Sequence, residues 1–298
     1  MTRLDYFANE ASVPASTLTE LFFEGVDRFG GAPAFQRLET ADSISDISYD
    51  EALETVRHAA GGLVAAGLQR GDRAAILSEN RPEWALADYA CLCAGIIDVP
   101  IYPTLSAPQV AYILRDSGTT LVFVSTADQA AKVRTAAEEC PQNVQIVSFD
   151  GAEGVMSWDD FVANGAQAAL DPEAFREGAL AAKPDDVATV LYTSGTTGDP
   201  KGVMLTHGNV ASNVRSSVTI LPISHTDNTI SFLPLSHILQ RMVDYLFFWV
   251  GCRIGYPRSL DTLIVDLKRL EPTVVVSVPR IYEKIYNCLL YTSPSPRD

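Results

Sequence analysis

VATVLYTSGTTGDPKGVMLTHGNV, residues 187–210, decides how the chain is read. The apolar, β-branched run 187–192 predicts a strand, which the hydroxyls and glycines of 193–198 cut off. Asp199-Pro200-Lys201-Gly202 completes the loop, and the apolar residues then roughly alternate until His207-Gly208-Asn209 opens a helix. The unit therefore reads strand–loop–strand–helix. Gly195 and Gly198 permit positive φ and close backbone approach, and Thr193, Ser194, Thr196 and Thr197 add rotatable donors. Lys201 adds a positive charge behind a stiffening Pro200. Such a loop suits a polyanion. It is not the Walker P-loop, in which Gly-Lys-Ser/Thr runs straight into a helix. The bland alternative is a Gly/Thr-rich surface hairpin.

Outward from this stretch the chain alternates between the two periodicities. Helices are expected at 17–29 (Ser16 or Thr17 as N-cap), 50–67, 82–95, 107–116 and 127–139, with strands at 72–78, 96–101, 120–125 and 144–148. After the loop, helices at 208–221, 239–250 and 259–270 alternate with strands at 229–233, 252–256 and 273–278. Strand–helix repetition with short connections implies an α/β fold with doubly wound, mainly parallel sheets, in which ligands bind beyond the carboxyl ends of strands. The expected organisation is a first α/β subdomain over 1–165, a linker over 166–186 rich in Ala, Gly and Asp, a second subdomain over 187–287 carrying the loop, and a non-native Ser/Pro tail over 288–298.

Composition narrows the function classes. A net charge of −15 argues against nucleic acid as a partner, and 47% hydrophobic residues suffice for a substantial core. Residues 1–200 hold 12 Lys/Arg against 30 Asp/Glu, whereas 201–298 hold 10 against 7, so basic residues gather where an anionic ligand is expected. The apolar stretches near 85–97 and 242–254 are interrupted by Asp88, Asp244 or Arg253 and fall short of a membrane span. No basic-then-apolar leader stands at the N-terminus. The five cysteines are scattered, and Cys91 and Cys93 read as core thiols in a reducing, cytoplasmic setting.

The run from Tyr192 to Val203 resembles the AMP-binding signature of the adenylate-forming enzymes, the superfamily of acyl-CoA synthetases, luciferases and peptide-synthetase adenylation domains. Phe232-Leu233-Pro234-Leu235-Ser236-His237-Ile238 is similar to that family's second core motif. Val276 to Lys284, Arg73 to Asn80 with Pro82-Glu83-Trp84, and Val99 to Thr104 resemble its long-chain acyl-CoA synthetase branch. The resemblance implies the large N-terminal domain of these enzymes, in truncated form. It also implies ATP and Mg²⁺ with coenzyme A as co-substrate, a fatty acid as the acid activated, and peripheral contact with a membrane as compatible with that substrate. By the same resemblance Thr193, Ser194, Gly195, Thr196, Thr197 and Gly198 would hold the pyrophosphate end of ATP, Thr193 would ligate Mg²⁺, Lys201 would stabilise the leaving charge, and His237 would line the junction of α-phosphate and acyl chain. His207 reads as a helix-entry or packing residue. The aromatic residues of 239–250 read as core rather than acyl tunnel.

The family's Tyr-Gly-x-Thr-Glu motif, its ribose-binding Asp and its late lysine are not found in this sequence. The expected parent is a long-chain fatty acid–CoA ligase, and the chain as written is expected to release no pyrophosphate with palmitate. The alternatives are a catalytically inactive nucleotide-binding fragment and an adenylating enzyme for another carboxylate.

Overall fold

The computed structural model describes residues 15–40, 43–168, 171–193 and 199–283. Local chemistry starts several of the helices. In α1 (Leu18–Phe29) Thr17 and Glu20 form a capping box, and Leu18, Leu21, Phe22 and Val26 share the buried face. A hairpin of β1 (Pro33–Leu38) and β2 (Ile44–Ser48) follows. Ser48 and Glu51 box the start of α2 (Tyr49–Ala65). Next come β3 (Arg73–Leu77), α3 (Pro82–Ala94) with Pro82 in its first turn, β4 (Ile97–Ile101) and α4 (Ala107–Ser117). Then follow β5 (Leu121–Val124), α5 (Ala127–Ala137), β6 (Gln145–Ser148), β7 (Met156–Ser157) and α6 (Trp158–Ala168).

The stretch expected as a linker contains α7 (Pro172–Leu180). Asp171 caps it through Oδ1, Pro172 presets its first φ, and Phe175 and Ala179, one turn apart, are buried. The polar composition of the stretch hid this short amphipathic face. Beyond it lie β8 (Val187–Thr193), β9 (Lys201–Thr206), α8 (His207–Val218), β10 (Asn228–Ile230), α9 (Ile238–Val250), β11 (Arg253–Tyr256) and α10 (Leu263–Leu270). The strand expected over 273–278 is a single parallel bridge, Thr229 to Val274.

Two sheets result, with orders β7-β6-β5-β3-β4-β8-β9 and β10-β11-β1-β2. The larger is parallel except for β9, and the smaller is parallel except for the β1–β2 hairpin. The sheets do not follow the expected boundary at 165–187. Strands β8 and β9 join the larger sheet beside β4, and β1, with β2 on its outer edge, pairs with β11. One buried cluster fills the space between the sheets and includes residues of α1, α2, α3 and α9; a second packs α4 and α5 on the outer face of the larger sheet. Within the first, Phe248 touches the rings of Phe22, Phe35, Tyr49 and Tyr89, and the Tyr49 hydroxyl donates to the Phe248 carbonyl at 2.8 Å. The aromatic residues of α9 are thus core, and Cys91 and Cys93 are buried thiols.

A charged cluster crosses the same space. Arg241 of α9, 1% exposed, reaches Asp98 of β4 at 2.7 Å, the Thr189 hydroxyl of β8 at 2.8 Å and both carboxylate oxygens of Asp88 on α3. Tyr245 donates its hydroxyl proton to Asp88 at 2.5 Å. One guanidinium faces two buried carboxylates, so burial raises the Asp98 carboxyl pKa against the pull of Arg241.

Helices α2 and α6 approach most closely at glycine. A Cβ on Gly165 would sit 2.0 Å from the His58 carbonyl oxygen and 2.5 Å from the Gly62 nitrogen. Gly165→Ala is expected to destabilise the chain by about 2–3 kcal/mol in urea denaturation. Gly178→Ala in α7, where a Cβ meets nothing within 4 Å, is expected to stabilise by roughly 0.5–1 kcal/mol.

Candidate functional site

The β8–β9 hairpin presents the expected loop. Its antiparallel register sets Thr193 opposite Lys201, Tyr192 opposite Gly202 and Leu191 opposite Val203. Directly opposed residues project on the same face of a ladder, so the Thr193 hydroxyl and the Lys201 ammonium leave the hairpin end side by side, both exposed. Ser194, Gly195, Thr196, Thr197 and Gly198 lie outside the described residues. A Cβ on Gly202 would fall 2.9 Å from Val190 and 3.3 Å from the Tyr192 ring, which is why the residue after Lys201 is glycine.

Two side chains hold β8 from opposite faces. Odd-numbered Thr189 turns inward to Arg241. Even-numbered Tyr192 turns outward, donating its hydroxyl to Asp116 of α4 at 2.6 Å and meeting the Tyr112 ring edge-on. Burial, with the Asp116 carboxylate second, pushes the Tyr192 phenol well above its usual value, so it remains a donor.

His237 is the N-cap of α9. Its Nδ1 accepts the Leu239 N–H at 3.2 Å, and its own N–H donates to the Pro234 carbonyl at 2.9 Å. With Nδ1 an acceptor, the neutral ring carries its proton on Nε2. His237 connects to the hairpin indirectly. It precedes Arg241 by one helical turn, about 6 Å, and Thr193 follows Thr189 by four strand residues, about 13 Å. The segment that delivers His237 is clamped by Asn80, which follows β3. The Asn80 amide donates to the carbonyls of Ser231 (3.1 Å) and Leu233 (2.6 Å), and its Oδ1 accepts the Leu235 N–H at 3.0 Å.

The loops after four strands enclose a cleft of about 410 Å³. Asn80 follows β3, Tyr102 and Pro103 follow β4, Phe232 and Pro234 follow β10, and Arg258 and Leu260 follow β11. All four are carboxyl ends, where a doubly wound sheet offers its ligand site, and the volume lies in the range of small-molecule pockets. Thr193, Lys201 and His237 do not line this cleft. A neighbouring cleft of about 370 Å³ shares Asn80 and Arg258. Its arginines are already paired: Arg37 and Arg81 with Glu83, Arg81 with Asp150, and Arg258 with Asp266. Among the described residues no group of three or more His, Cys, Asp or Glu side chains is placed to hold a metal ion.

Asn80, Tyr192–Asp116 and the Arg241 cluster carry geometry that the sequence reading did not assign. One signal was present: Asp88 and Asp244 interrupt apolar helices, and a buried carboxylate requires a partner.

A model of the AMP-binding enzyme family matches residues 22–296. The chain is 36% identical over 245 residues to the long-chain-fatty-acid–CoA ligase FadD15 of Mycobacterium tuberculosis, covering 82% of this chain and 40% of that protein. It is 35% identical over 264 residues to long chain acyl-CoA synthetase 1 of Arabidopsis thaliana, covering 80% and 38%. The chain thus spans about two fifths of the length of these curated relatives. Among solved structures, the long-chain-fatty-acid–CoA ligase FadD1 of Archaeoglobus fulgidus superposes with a TM-score of 0.79 at 22% identity, over 95% of this chain and 55% of that one. The adenylation domain of a Mycobacterium chelonae carboxylate reductase gives 0.80 at 24% identity, over 99% and 51%. These structures share the fold.

His207, the first residue of α8, packs under α1 as expected. It is 3% exposed, and its Nδ1 accepts the Leu18 N–H at 3.3 Å. Burial lowers its pKa to about 4 against the opposing pull of Asp186. The folded pKa lies below the unfolded one, so the contribution is present above about pH 6.5 and is lost as pH falls toward 4. His207→Gln is expected to lose less stability than the parent chain between pH 6.5 and 4.5, by on the order of 1 kcal/mol per pH unit, in urea titrations at stepped pH.

Proposed function

This chain belongs to the AMP-binding enzyme family, and on that premise we propose that its β8–β9 hairpin holds the phosphates of ATP in an enzyme that activates a long-chain fatty acid. The fatty carboxylate attacks the α-phosphorus, the bond to the bridging oxygen breaks, and pyrophosphate leaves with that electron pair. The thiolate of coenzyme A then attacks the acyl carbon of the adenylate, forming the thioester and expelling AMP. The observation that carries this reading is the pairing of Thr193 with Lys201 at the loop end of a hairpin whose first strand lies in a doubly wound sheet. The long-chain acyl substrate is supported by the names of the curated relatives and by the segments Arg73–Asn80, Val99–Thr104 and Val276–Lys284 that resemble the long-chain branch.

Both reactants are anions, so the work of the chain is positioning and charge neutralisation. Lys201 takes up negative charge on the departing phosphates, and the Thr193 hydroxyl donates to, or ligates beside, them. His237, with its proton on Nε2, offers a donor to an oxygen at the junction of phosphate and acyl group. When bound with ATP, Mg²⁺ would supply further charge neutralisation, and the Thr193 hydroxyl would be the group of this hairpin that holds it. The mostly apolar walls of the cleft formed by Tyr102, Pro103, Phe232, Pro234 and Leu260 suit a hydrophobic substrate or the pantetheine arm of coenzyme A.

Titration calorimetry of the 298-residue chain with MgATP tests the nucleotide part. Saturable binding is expected, and heats equal to dilution would overturn it. Lys201→Ala removes a charge-assisted contact and is expected to weaken binding by about 1.5–3 kcal/mol. Unchanged affinity removes Lys201 from the site.

A further inference from the structure

We infer that Arg241 is a positioning residue, which sets from behind the sheet where the β8–β9 hairpin sits and hence where Thr193 and Lys201 present their polar groups. Its functional consequence rests on the nucleotide reading of that hairpin. The argument starts from how β8 is attached. Strands β3 and β4 pair over five residues, whereas β4 and β8 meet in register at one pair, Asp98 opposite Thr189. Arg241 binds both members of that pair. Its Nη1 group lies 2.7 Å from Asp98 Oδ2 and 2.8 Å from Thr189 Oγ1, and the Thr189 hydroxyl in turn donates to Asp98 at 3.4 Å.

The guanidinium is itself oriented. Its other edge is held by both Asp88 oxygens, and its Nε–H also approaches the Tyr245 hydroxyl at 2.8 Å. The planar fork therefore has one orientation relative to α3 and transmits it to β8. An apolar side chain in this position would fill the space without fixing an orientation, because burial of apolar surface is non-directional. On the outer face the corresponding hold is Tyr192 on Asp116. Thr193 stands about 13 Å beyond Thr189 along the strand, so a small rotation at Thr189 becomes a large displacement at the hairpin end.

The test uses the 298-residue chain and its hydrogen exchange. Thr189→Val keeps the shape of the side chain and removes the hydroxyl, while Thr189→Ser keeps the hydroxyl. Thr189→Val is expected to raise exchange of the β8–β9 amides about tenfold or more, with β3, β5 and β6 unchanged, and to weaken MgATP binding several-fold; Thr189→Ser is expected to restore both. Gly165→Ala, which strains the α2–α6 contact away from the cluster and from β8, is the control for general destabilisation and is expected to leave the β8–β9 rates in proportion to the rest. Arg241→Lys keeps the charge and loses the fork; it is expected to raise the same rates, with little further change on adding Thr189→Val. A uniform or absent change in Thr189→Val, an equal selective effect from Gly165→Ala, or additivity of Arg241→Lys and Thr189→Val overturns the inference. A parent chain that binds no MgATP while Thr189→Val still frees β8–β9 selectively upholds the positioning and removes only the nucleotide reading.

Discussion

The structure depends on one buried guanidinium. Arg241 lies between the two sheets and joins α9 to α3, to β4 and to β8 through Asp88, Asp98 and Thr189. Stripping water from three ionisable groups is costly, and a well-packed apolar trio often stabilises a fold as well or better; losing one member of such a cluster, by contrast, costs about 3–5 kcal/mol because the others remain buried without a partner. The cluster is therefore poor as a source of net stability and strong as a constraint. Once Asp88 and Asp98 are buried, α9 has one rotation and one translation that satisfy them.

That constraint organises the rest of the site. Helix α9 is the element that His237 caps, and its aromatic residue Phe248 closes the core against α1, β1, α2 and α3. Asn80 performs for the segment before α9 what Arg241 performs for β8: a side chain from the first half of the sequence satisfies backbone groups of the second. An irregular segment has no ladder to satisfy its carbonyls and N–H groups, so a side-chain amide that donates and accepts is the economical clamp. The clefts lie at the carboxyl ends of β3, β4, β10 and β11, where Asn80 ties the loop after β3 to the segment after β10.

The chain order of the sheets explains which expectations survived. Helices with strong local signals formed close to where they were expected: Thr17, Ser48 and Thr206 cap α1, α2 and α8, and Pro82 opens α3. The hairpin of β8 and β9 followed from an apolar, β-branched run before a glycine-rich loop and rough alternation after it. The β1–β2 hairpin and α7 carry weaker local signals, and each is stabilised by distant partners, β11 in one case and the packing of Phe175 on Phe23 in the other. The stretch 273–278 has strand composition but only one bridge, because β-propensity reports fitness for a pleated surface and not the presence of a neighbour.

The sequence by itself determined the α/β class, the strand–loop–strand unit with Thr193 and Lys201 beside its loop, and the packing role of His207, because each is written in short-range patterns along the chain. Only the tertiary structure decided that β1 and β2 complete a sheet with β10 and β11, that Asn80 holds the segment before His237, and that Asp88, Asp98 and Thr189 share one arginine. Those groups lie about 50 to 150 residues apart in the chain. Periodicity and capping act over a few residues, whereas a buried carboxylate states only that a partner exists; which residue answers it is settled when the sheets pack.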